Sequence, residues 1–275
     1  MELKAILYPV LSLGGLGLLF GLLLGYANDK FKVEVDERIP LVRDCLPGAN
    51  CGGCGFAGCD AYAEAVVTDG VATNLCAPGG SACAEKISNI LGVSLEESEP
   101  QVAYVRCKGT CNAAKEKSLY FGIKDCNEAM NVPGSGSKAC ADGCLGLGSC
   151  VKVCKFDALE IVNGVAQIIE DKCVACGACV NICPKGIIGL VPKSSKVRVQ
   201  CNSKAKGKEV MDACSVGCIS CSLCAKNCPK EAIVMENNLP VIDYSKCVNC
   251  GICSNKCPKH SIENLRKSKV AEMAN

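Results

Sequence analysis

The cysteines in the second half of this chain recur at one constant interval along the sequence, which is the separation between Cys140 and Cys214. We call this separation the repeat interval. Neighbouring residues repeat as well, since Lys172 precedes Cys173 and Lys246 precedes Cys247. Eight equal intervals do not arise by chance from a cysteine-rich composition, so the sequence predicts two copies of one module. The eight pairs are Cys140 and Cys214, Cys144 and Cys218, Cys150 and Cys224, Cys154 and Cys228, Cys173 and Cys247, Cys176 and Cys250, Cys179 and Cys253, and Cys183 and Cys257.

The number and spacing of the cysteines favour metal binding over a disulfide framework. The chain has 27 cysteines among 275 residues, an odd count, and many are separated by only two or three residues. Disulfide frameworks belong to oxidising compartments, so this pattern predicts a reducing compartment instead. The single histidine, His260, argues against haem ligation, Rieske-type centres and Cys2His2 zinc, and we expect it on the surface.

Both copies contain the Cys-x2-Cys-x2-Cys-x3-Cys spacing of two-cluster bacterial ferredoxins. In that pattern the close triple binds one [4Fe–4S] cluster, and the fourth cysteine reaches the other cluster of the pair. Structural zinc is the alternative, but it prefers two separated pairs of ligands. The spacing predicts three sites: Cys154, Cys173, Cys176 and Cys179; Cys228, Cys247, Cys250 and Cys253; and Cys218, Cys221, Cys224 and Cys257.

One of the four motifs lacks a cysteine, because Leu147 occupies its second position. Cys140 is a nearby thiol that could substitute for the missing ligand. The predicted site is therefore Cys140, Cys144, Cys150 and Cys183. A three-iron cluster, or no cluster at all, is the alternative if no thiol replaces the lost one.

A separate motif lies closer to the N-terminus, where Cys51, Cys54 and Cys59 are followed by Cys76. The surrounding run is rich in glycine, which allows the backbone to approach a cluster closely and to donate hydrogen bonds to sulfur. Four thiolates without histidine suit a [4Fe–4S] cluster, and a zinc knuckle is the alternative. The sequence thus predicts five clusters, with a sixth possible.

The remaining cysteines follow no spacing rule. The residues considered for the sixth cluster are Cys107, Cys111, Cys126 and Cys201. Three others are interpreted as ordinary small buried residues: Cys45, Cys83 and Cys214.

An uncharged, strongly apolar run extends from Ala5 to Tyr26. As a helix it would be about 33 Å long, which is close to the thickness of a hydrocarbon core. A cleaved signal peptide is the alternative, but the run is longer than a usual signal core, so we predict an uncleaved anchor. The cations that follow place the body of the protein on the cytoplasmic side of the cell membrane: Lys30, Lys32, Arg38 and Arg43.

Gly17, Gly21 and Gly25 are spaced four residues apart within this run and share one helix face. Small residues at that spacing allow another transmembrane helix to approach closely. We therefore predict packing against a partner helix, although glycine is also simply common in membrane helices.

Charge and missing motifs narrow the possible functions. Residues 27–100 carry a net charge of −7 and residues 101–275 a net charge of +9, without a basic run interleaved with aromatic residues. Nucleic-acid binding is therefore not expected, and lysines near anionic clusters explain the basic half. The chain has no dinucleotide fingerprint, phosphate-binding loop or nucleophile–base set. We expect electron transfer without a bound flavin or NAD and without a catalytic residue.

The predicted fold class is α+β: a single transmembrane helix, a small and mostly helical [4Fe–4S] domain, and two tandem ferredoxin-like modules. An amphipathic helix is expected within residues 70–97, and a domain boundary is expected where Glu96 to Pro100 break it. The predicted divisions are 1–28 (anchor), 29–100 (first cluster domain), 101–138 (connector with cysteines), 139–192 (module 1), 193–265 (module 2) and 266–275 (tail).

The anchor, the Cys51–Cys76 motif and the ferredoxin repeats together resemble the B subunit of the Rnf complexes, and the similarity covers essentially the whole chain. The resemblance implies an electron-transfer subunit of a ferredoxin:NAD oxidoreductase that couples electron transfer to Na⁺ or H⁺ translocation. Soluble ferredoxin and the other membrane subunits would be its partners. The duplicated module and Leu147 depart from family members with a single module. An iron–sulfur subunit of a different membrane enzyme, or a zinc scaffold, is the alternative.

Overall fold

The computed structural model describes residues 3–31, 36–95 and 99–266. Helix α1 (Leu3–Lys30) contains the predicted apolar run, and its segment Val10–Asn28 has a mean hydropathy of 2.0. Within the described ranges this is the one helix long and apolar enough to cross a membrane, and none of that segment is buried. A surface of exposed Leu and Phe side chains on such a helix suits lipid rather than water.

Three helices form the first cluster domain: α2 (Arg38–Cys45), α3 (Cys59–Thr68) and α4 (Gly80–Leu91). Their core contains Val42, Tyr62 and Ile87, each without solvent exposure. The helix expected within 70–97 is α4, which ends where Gly92 adopts a left-handed conformation. Most of the predicted boundary that follows it, residues 96–98, lies outside the described residues.

Module 1 has the two small two-stranded sheets of a ferredoxin. Strand β1 (Gln101–Val105) pairs antiparallel with β4 (Ile188–Pro192), and β2 (Leu159–Val162) pairs with β3 (Val165–Ile168). Helices α6 (Ser149–Val153) and α7 (Ala178–Ile182) connect these strands, and α5 (Cys126–Met130) precedes them. The start of the predicted connector therefore forms a strand of module 1.

Module 2 repeats this arrangement. Strand β5 (Val197–Val199) pairs antiparallel with β8 (Ile262–Asn264), and β6 (Ile233–Glu236) pairs with β7 (Leu239–Ile242). The helices are α8 (Gly207–Ala213), α9 (Leu223–Lys226) and α10 (Ile252–Lys256). An N-terminal apolar helix, an iron–sulfur domain and two ferredoxin-like modules of mixed helix and strand confirm the predicted fold class.

The strand register shows which residues of β1 and β5 are equivalent. Val105 pairs with Ile188, and Val199 pairs with Ile262. Ile188 and Ile262 are separated by the repeat interval, so their partners Val105 and Val199 are equivalent, although these two are further apart along the chain. The separation differs because module 1 has a longer segment after its first strand, residues 106–139.

A left-handed turn follows the last cysteine of each of the four ferredoxin-type motifs, and it predicts an effect on stability. The third residue after that cysteine has a positive φ in all four turns: Asp157 (49°), Gly186 (57°), Glu231 (49°) and His260 (48°). Glycine adopts this left-handed backbone without the steric strain that a histidine side chain causes. His260→Gly, at an exposed position, should therefore stabilise the native state by up to about 1 kcal/mol. Gly186→Ala should lower stability by a similar amount. The rate at which visible cluster absorbance bleaches on heating checks both, and equal rates would contradict the strain argument.

Candidate metal centres

The four cysteines predicted for the first cluster domain line one cavity, and they are Cys51, Cys54, Cys59 and Cys76. The loop that carries the first two is fixed to helix α3, because Asn50 accepts a hydrogen bond from the backbone N–H of Cys59 at 2.8 Å. Tyr62 lines the same cavity and donates its hydroxyl to the Ala72 carbonyl at 2.9 Å. Helix α3 and its preceding loop thus bring cysteines from three segments together.

Cys83 is buried beside this site. Its hydrogen bond to Cys76 lowers the pKa of the Cys76 thiol to about 6. A side chain at Gly79 would overlap both thiols, since an added Cβ would lie 2.6 Å from the Cys83 Cβ and 3.2 Å from the Cys76 Sγ. Cys45 is half-buried and donates to the Leu41 carbonyl, as expected for a cysteine in a small core.

The two predicted sites of module 2 form two separate cavities of about 20 Å³ each. In both, a backbone N–H four residues after the last cysteine donates to its sulfur: Ala232 to Cys228 at 3.4 Å and Ser261 to Cys257 at 3.3 Å. These bonds stabilise negative charge on sulfur. One cavity is lined by Cys228, Cys247, Cys250 and Cys253, and the other by Cys218, Cys221, Cys224 and Cys257.

The repeat interval makes the predicted Cys154 site of module 1 equivalent to the Cys228 site of module 2, and we call these two the outer sites. The outer site of module 1 lies beside the first cluster domain. Burial raises the pKa of Cys179 to about 11, and the nearby thiols of Cys173, Cys176 and Cys154 add to the effect. Ala158 donates its N–H to the Cys154 sulfur at 3.4 Å, the counterpart of the bonds in module 2. These four cysteines are therefore close together, as the spacing predicts.

The Leu147 site differs from the prediction. The cavity is lined by Cys144, Cys150, Cys183 and Cys126, whereas Cys140 is not part of its lining. Burial raises the pKa of Cys150 to about 12, and the thiols of Cys144, Cys126 and Cys183 contribute. The predicted substitution by Cys140 is therefore revised: the nearest replacement along the chain is not the one that the fold brings to the site.

Helix α5 explains why Cys126 reaches this cavity. Asp125 caps the helix by accepting the backbone N–H groups of Asn127 and Glu128. The Cys126 N–H donates to the Ser149 hydroxyl at 2.6 Å, and that hydroxyl donates to Asp125 at 2.8 Å. Because Ser149 begins α6, these bonds fix the start of α5 against the helix that carries Cys150.

A further cavity of about 240 Å³ lies between the two modules. It is lined by four cysteines, Cys107, Cys140, Cys201 and Cys214. Only Cys107 and Cys201 of the residues considered for a sixth site are here. Cys126 lies at the Leu147 site, and Cys111 is exposed, with its sulfur against Gly164. Cys214, interpreted as an ordinary buried residue, also lines this cavity. His260 is exposed, as expected.

The donor sets fit iron–sulfur clusters. Each cavity presents four thiols, and burial raises the pKa of some of them, such as Cys150 and Cys253. Iron bonded to these sulfurs would compensate the cost of buried thiolates. The thiols of four of the five sets line cavities. That arrangement suits a polynuclear core.

Comparisons with known proteins agree with this reading of the sites. The FeS family model, which describes an Fe-S cluster, matches residues 46–78, and a 4Fe-4S dicluster domain model matches residues 172–232 and 217–261. The B subunit of the proton-translocating ferredoxin:NAD(+) oxidoreductase complex of Clostridium ljungdahlii is 56% identical over 232 residues, 84% of this chain and 81% of the relative.

Two further relatives extend the comparison. The B subunit of the Na(+)-translocating ferredoxin:NAD(+) oxidoreductase complex of Acetobacterium woodii is 46% identical, over 89% of this chain and 73% of the relative. The B subunit of the ion-translocating oxidoreductase complex of Methanosarcina acetivorans is 41% identical, over 88% of this chain and 92% of the relative.

An apolar helix joined to a small iron–sulfur domain and two ferredoxin-like modules defines a membrane-associated iron–sulfur electron-transfer protein. Its similarity to the relatives is high over most of both chains. The chain belongs to the family of B subunits of ion-translocating oxidoreductase complexes, the family that the Cys51–Cys76 motif and the ferredoxin repeats resemble.

Proposed function

We propose that this chain conducts electrons between soluble ferredoxin and the other subunits of an ion-translocating ferredoxin:NAD oxidoreductase complex. The observation that carries the proposal is that sets of four cysteines recur along the chain, each set gathered around one cavity. The names of the relatives supply ferredoxin, NAD and the multi-subunit complex. This chain contributes the series of clusters that conducts electrons. Flavin, NAD and the ion path belong to other subunits.

Five [4Fe–4S] clusters are assigned to the predicted motifs, with Cys126 in place of Cys140 at the Leu147 site. The clusters exchange single electrons, and this chain's residues set how readily they do so. Backbone N–H groups such as those of Ala158, Ala232 and Ser261 donate to ligand sulfurs and favour the more negative, reduced state. The ligand sets are Cys51, Cys54, Cys59 and Cys76; Cys154, Cys173, Cys176 and Cys179; Cys126, Cys144, Cys150 and Cys183; Cys218, Cys221, Cys224 and Cys257; and Cys228, Cys247, Cys250 and Cys253.

Helix α1 anchors these clusters to the cell membrane, with the modules on the cytoplasmic side. Lys30 and Arg43 follow the apolar segment, in agreement with the positive-inside rule, while Lys32 lies outside the described residues. An added Cβ at Gly17, Gly21 or Gly25 would meet no atom within 4 Å, so this face has room for a partner helix. Docking on other membrane subunits is the role assigned to it.

Removal of residues 1–31 tests the anchor and the function together. Because none of the apolar segment of α1 is buried, the truncated chain should stay folded, soluble and brown, with about 20 irons or more per chain. It should still be reduced by ferredoxin. Membranes that contain only the truncated chain should lose ferredoxin-dependent NAD reduction, whereas full-length chain restores it. Full activity with the truncated chain would contradict the anchor, and one or two zinc ions in place of iron would contradict the electron-transfer function.

A further inference from the structure

The cavity between the modules is built from equivalent positions of the two copies. Cys140 and Cys214 are one of the eight pairs related by the repeat interval. Cys107 and Cys201 each lie two residues after the equivalent strand positions Val105 and Val199, so they are equivalent too. Each module therefore contributes the same two cysteines to a single cavity.

The hydrogen bonds to the Cys107 and Cys201 sulfurs are also equivalent in the two modules. The N–H of Cys144 donates to the Cys107 sulfur at 3.4 Å, and the N–H of Cys218, the equivalent of Cys144, donates to the Cys201 sulfur at 3.3 Å. Backbone N–H groups directed at cysteine sulfur are the feature that also marks the outer sites of both modules. These two thiols thus have the surroundings of cluster ligands rather than those of ordinary core cysteines.

Contacts between the modules fix the other two thiols, those of Cys214 and Cys140. Ala114 and Cys214 form an antiparallel bridge, in which Lys115 donates to the Ala213 carbonyl at 2.9 Å and Ser215 donates to the Ala113 carbonyl at 2.8 Å. Asp142, two residues after Cys140, accepts the backbone N–H of Lys204 at 2.9 Å. The cavity is therefore held by both modules at once.

One buried cation favours an anion in this cavity, whose lining also includes Lys108, Asp142 and Glu209. Lys138 lines it and is buried, with 6% of its surface exposed. Its Nζ donates to the Gly109 carbonyl at 2.7 Å and to the Gly164 carbonyl at 2.6 Å, and no salt bridge of the described residues includes it. A buried ammonium group is costly without a compensating negative charge. A cluster bound by four thiolates is such an anion.

We propose that Cys107, Cys140, Cys201 and Cys214 bind an additional [4Fe–4S] cluster that joins the two modules. The proposal deepens the proposed function, on which it rests, and makes six clusters in the chain. On binding, four thiols release four protons and form four iron–sulfur bonds. Held by these four thiols, the cluster would pass single electrons from a reduced cluster of one module to an oxidised cluster of the other, with no bond made or broken. The cavity is larger than those of module 2, and its lining extends to Ala205 and Glu209 near the start of α8.

Ligand substitution in the full chain, reconstituted anaerobically with iron and sulfide, tests the proposal. Cys214→Ala, and separately Cys201→Ser, should lose about four of about 24 irons, with an equal loss of acid-labile sulfide. The double variant Cys201→Ser/Cys214→Ala should lose no more than either single variant, because both residues bind one cluster. Cys111→Ala is the matched control, since that exposed cysteine lies outside the cavity. Native mass spectrometry reads the cluster count directly.

The contrary outcomes distinguish failure of the inter-module cluster from failure of the proposed function. Wild-type iron content in Cys214→Ala, with five clusters in both chains, would overturn the inter-module cluster and leave the proposed function intact. Loss of one zinc ion without loss of iron would show a zinc site there and also overturn it. Absence of iron from the wild-type chain would instead overturn the proposed function itself.

Discussion

Cys126→Ala should remove one cluster, about four irons per chain, and Leu147→Cys in the same chain should restore it. Cys126 lines the cavity that contains Cys144, Cys150 and Cys183, so its loss leaves three ligands. The repeat interval makes Leu147 equivalent to Cys221, which lines the corresponding cavity of module 2. A cysteine at position 147 therefore returns the fourth thiol to the position that the motif normally uses.

The matched control is Cys140→Ala, alone and combined with Leu147→Cys. Cys140→Ala should also lose about four irons, from the inter-module cavity, but Leu147→Cys should not restore them. Electron paramagnetic resonance adds a second measurement, because a three-ligand site that keeps a three-iron cluster gives a signal distinct from that of a four-iron cluster. If Leu147→Cys restored the iron of Cys140→Ala and not that of Cys126→Ala, Cys140 would be the fourth ligand and our assignment would be wrong.

The grouping of cysteines that are close in sequence around common cavities could be predicted, because local spacing determines it. In Cys247-x2-Cys250-x2-Cys253 a short stretch of backbone places three thiols around one cavity, a spacing that can wrap three corners of a cluster. The family and the fold class were confirmed for the same reason, since a repeat and an apolar run are properties of the sequence itself. The first domain was equally accessible, because Cys51, Cys54 and Cys59 lie within one loop and the start of α3.

Ligands supplied by distant segments could not be predicted from spacing. Cys126 reaches the Leu147 cavity only because Asp125 and Ser149 fix α5 against α6. The inter-module cavity depends on strand pairing between β1 and β4 and between β5 and β8, which no local pattern reveals.

A signal for that cavity was nevertheless present in the sequence. Cys107 and Cys201 both follow an apolar strand as Val-Arg-Cys and Val-Gln-Cys. Their equivalence was hidden because the stretch from Cys107 to Cys140 is much longer than the stretch from Cys201 to Cys214. Alignment of the strands, rather than of the cysteines alone, would have paired them and would have given Cys214 the same role as Cys140.

Gly53→Ala should uncouple the first cluster domain from module 1 and strongly reduce ferredoxin:NAD activity of the membrane complex, without loss of iron. Gly53 lies between Cys51 and Cys54 and contacts the backbone of Cys176, a ligand proposed for the nearest cluster of module 1. An added Cβ would lie 2.5 Å from the Cys176 carbonyl oxygen and 3.0 Å from its Cα. Because the obstacle is backbone, the two cluster-bearing loops must separate, and electron transfer between clusters weakens as they move apart.

Lys155→Met tests the same contact between the first cluster domain and module 1 through a side chain. The Lys155 Nζ donates to the Ala49 and Asn50 carbonyls at 3.1 and 3.2 Å, so its loss should loosen the contact and reduce activity less than Gly53→Ala does. Lys152→Met is the control, because that lysine instead donates to the Lys124 carbonyl and pairs with Asp125 at 4.0 Å, so its loss should leave the coupling between these two loops unchanged. Magnetic coupling between the reduced clusters, measured by electron paramagnetic resonance, should fall in the same order. Unchanged coupling in Gly53→Ala at full iron content would show that the substitution does not separate the two loops. Full activity with reduced coupling would show that electrons do not pass between them.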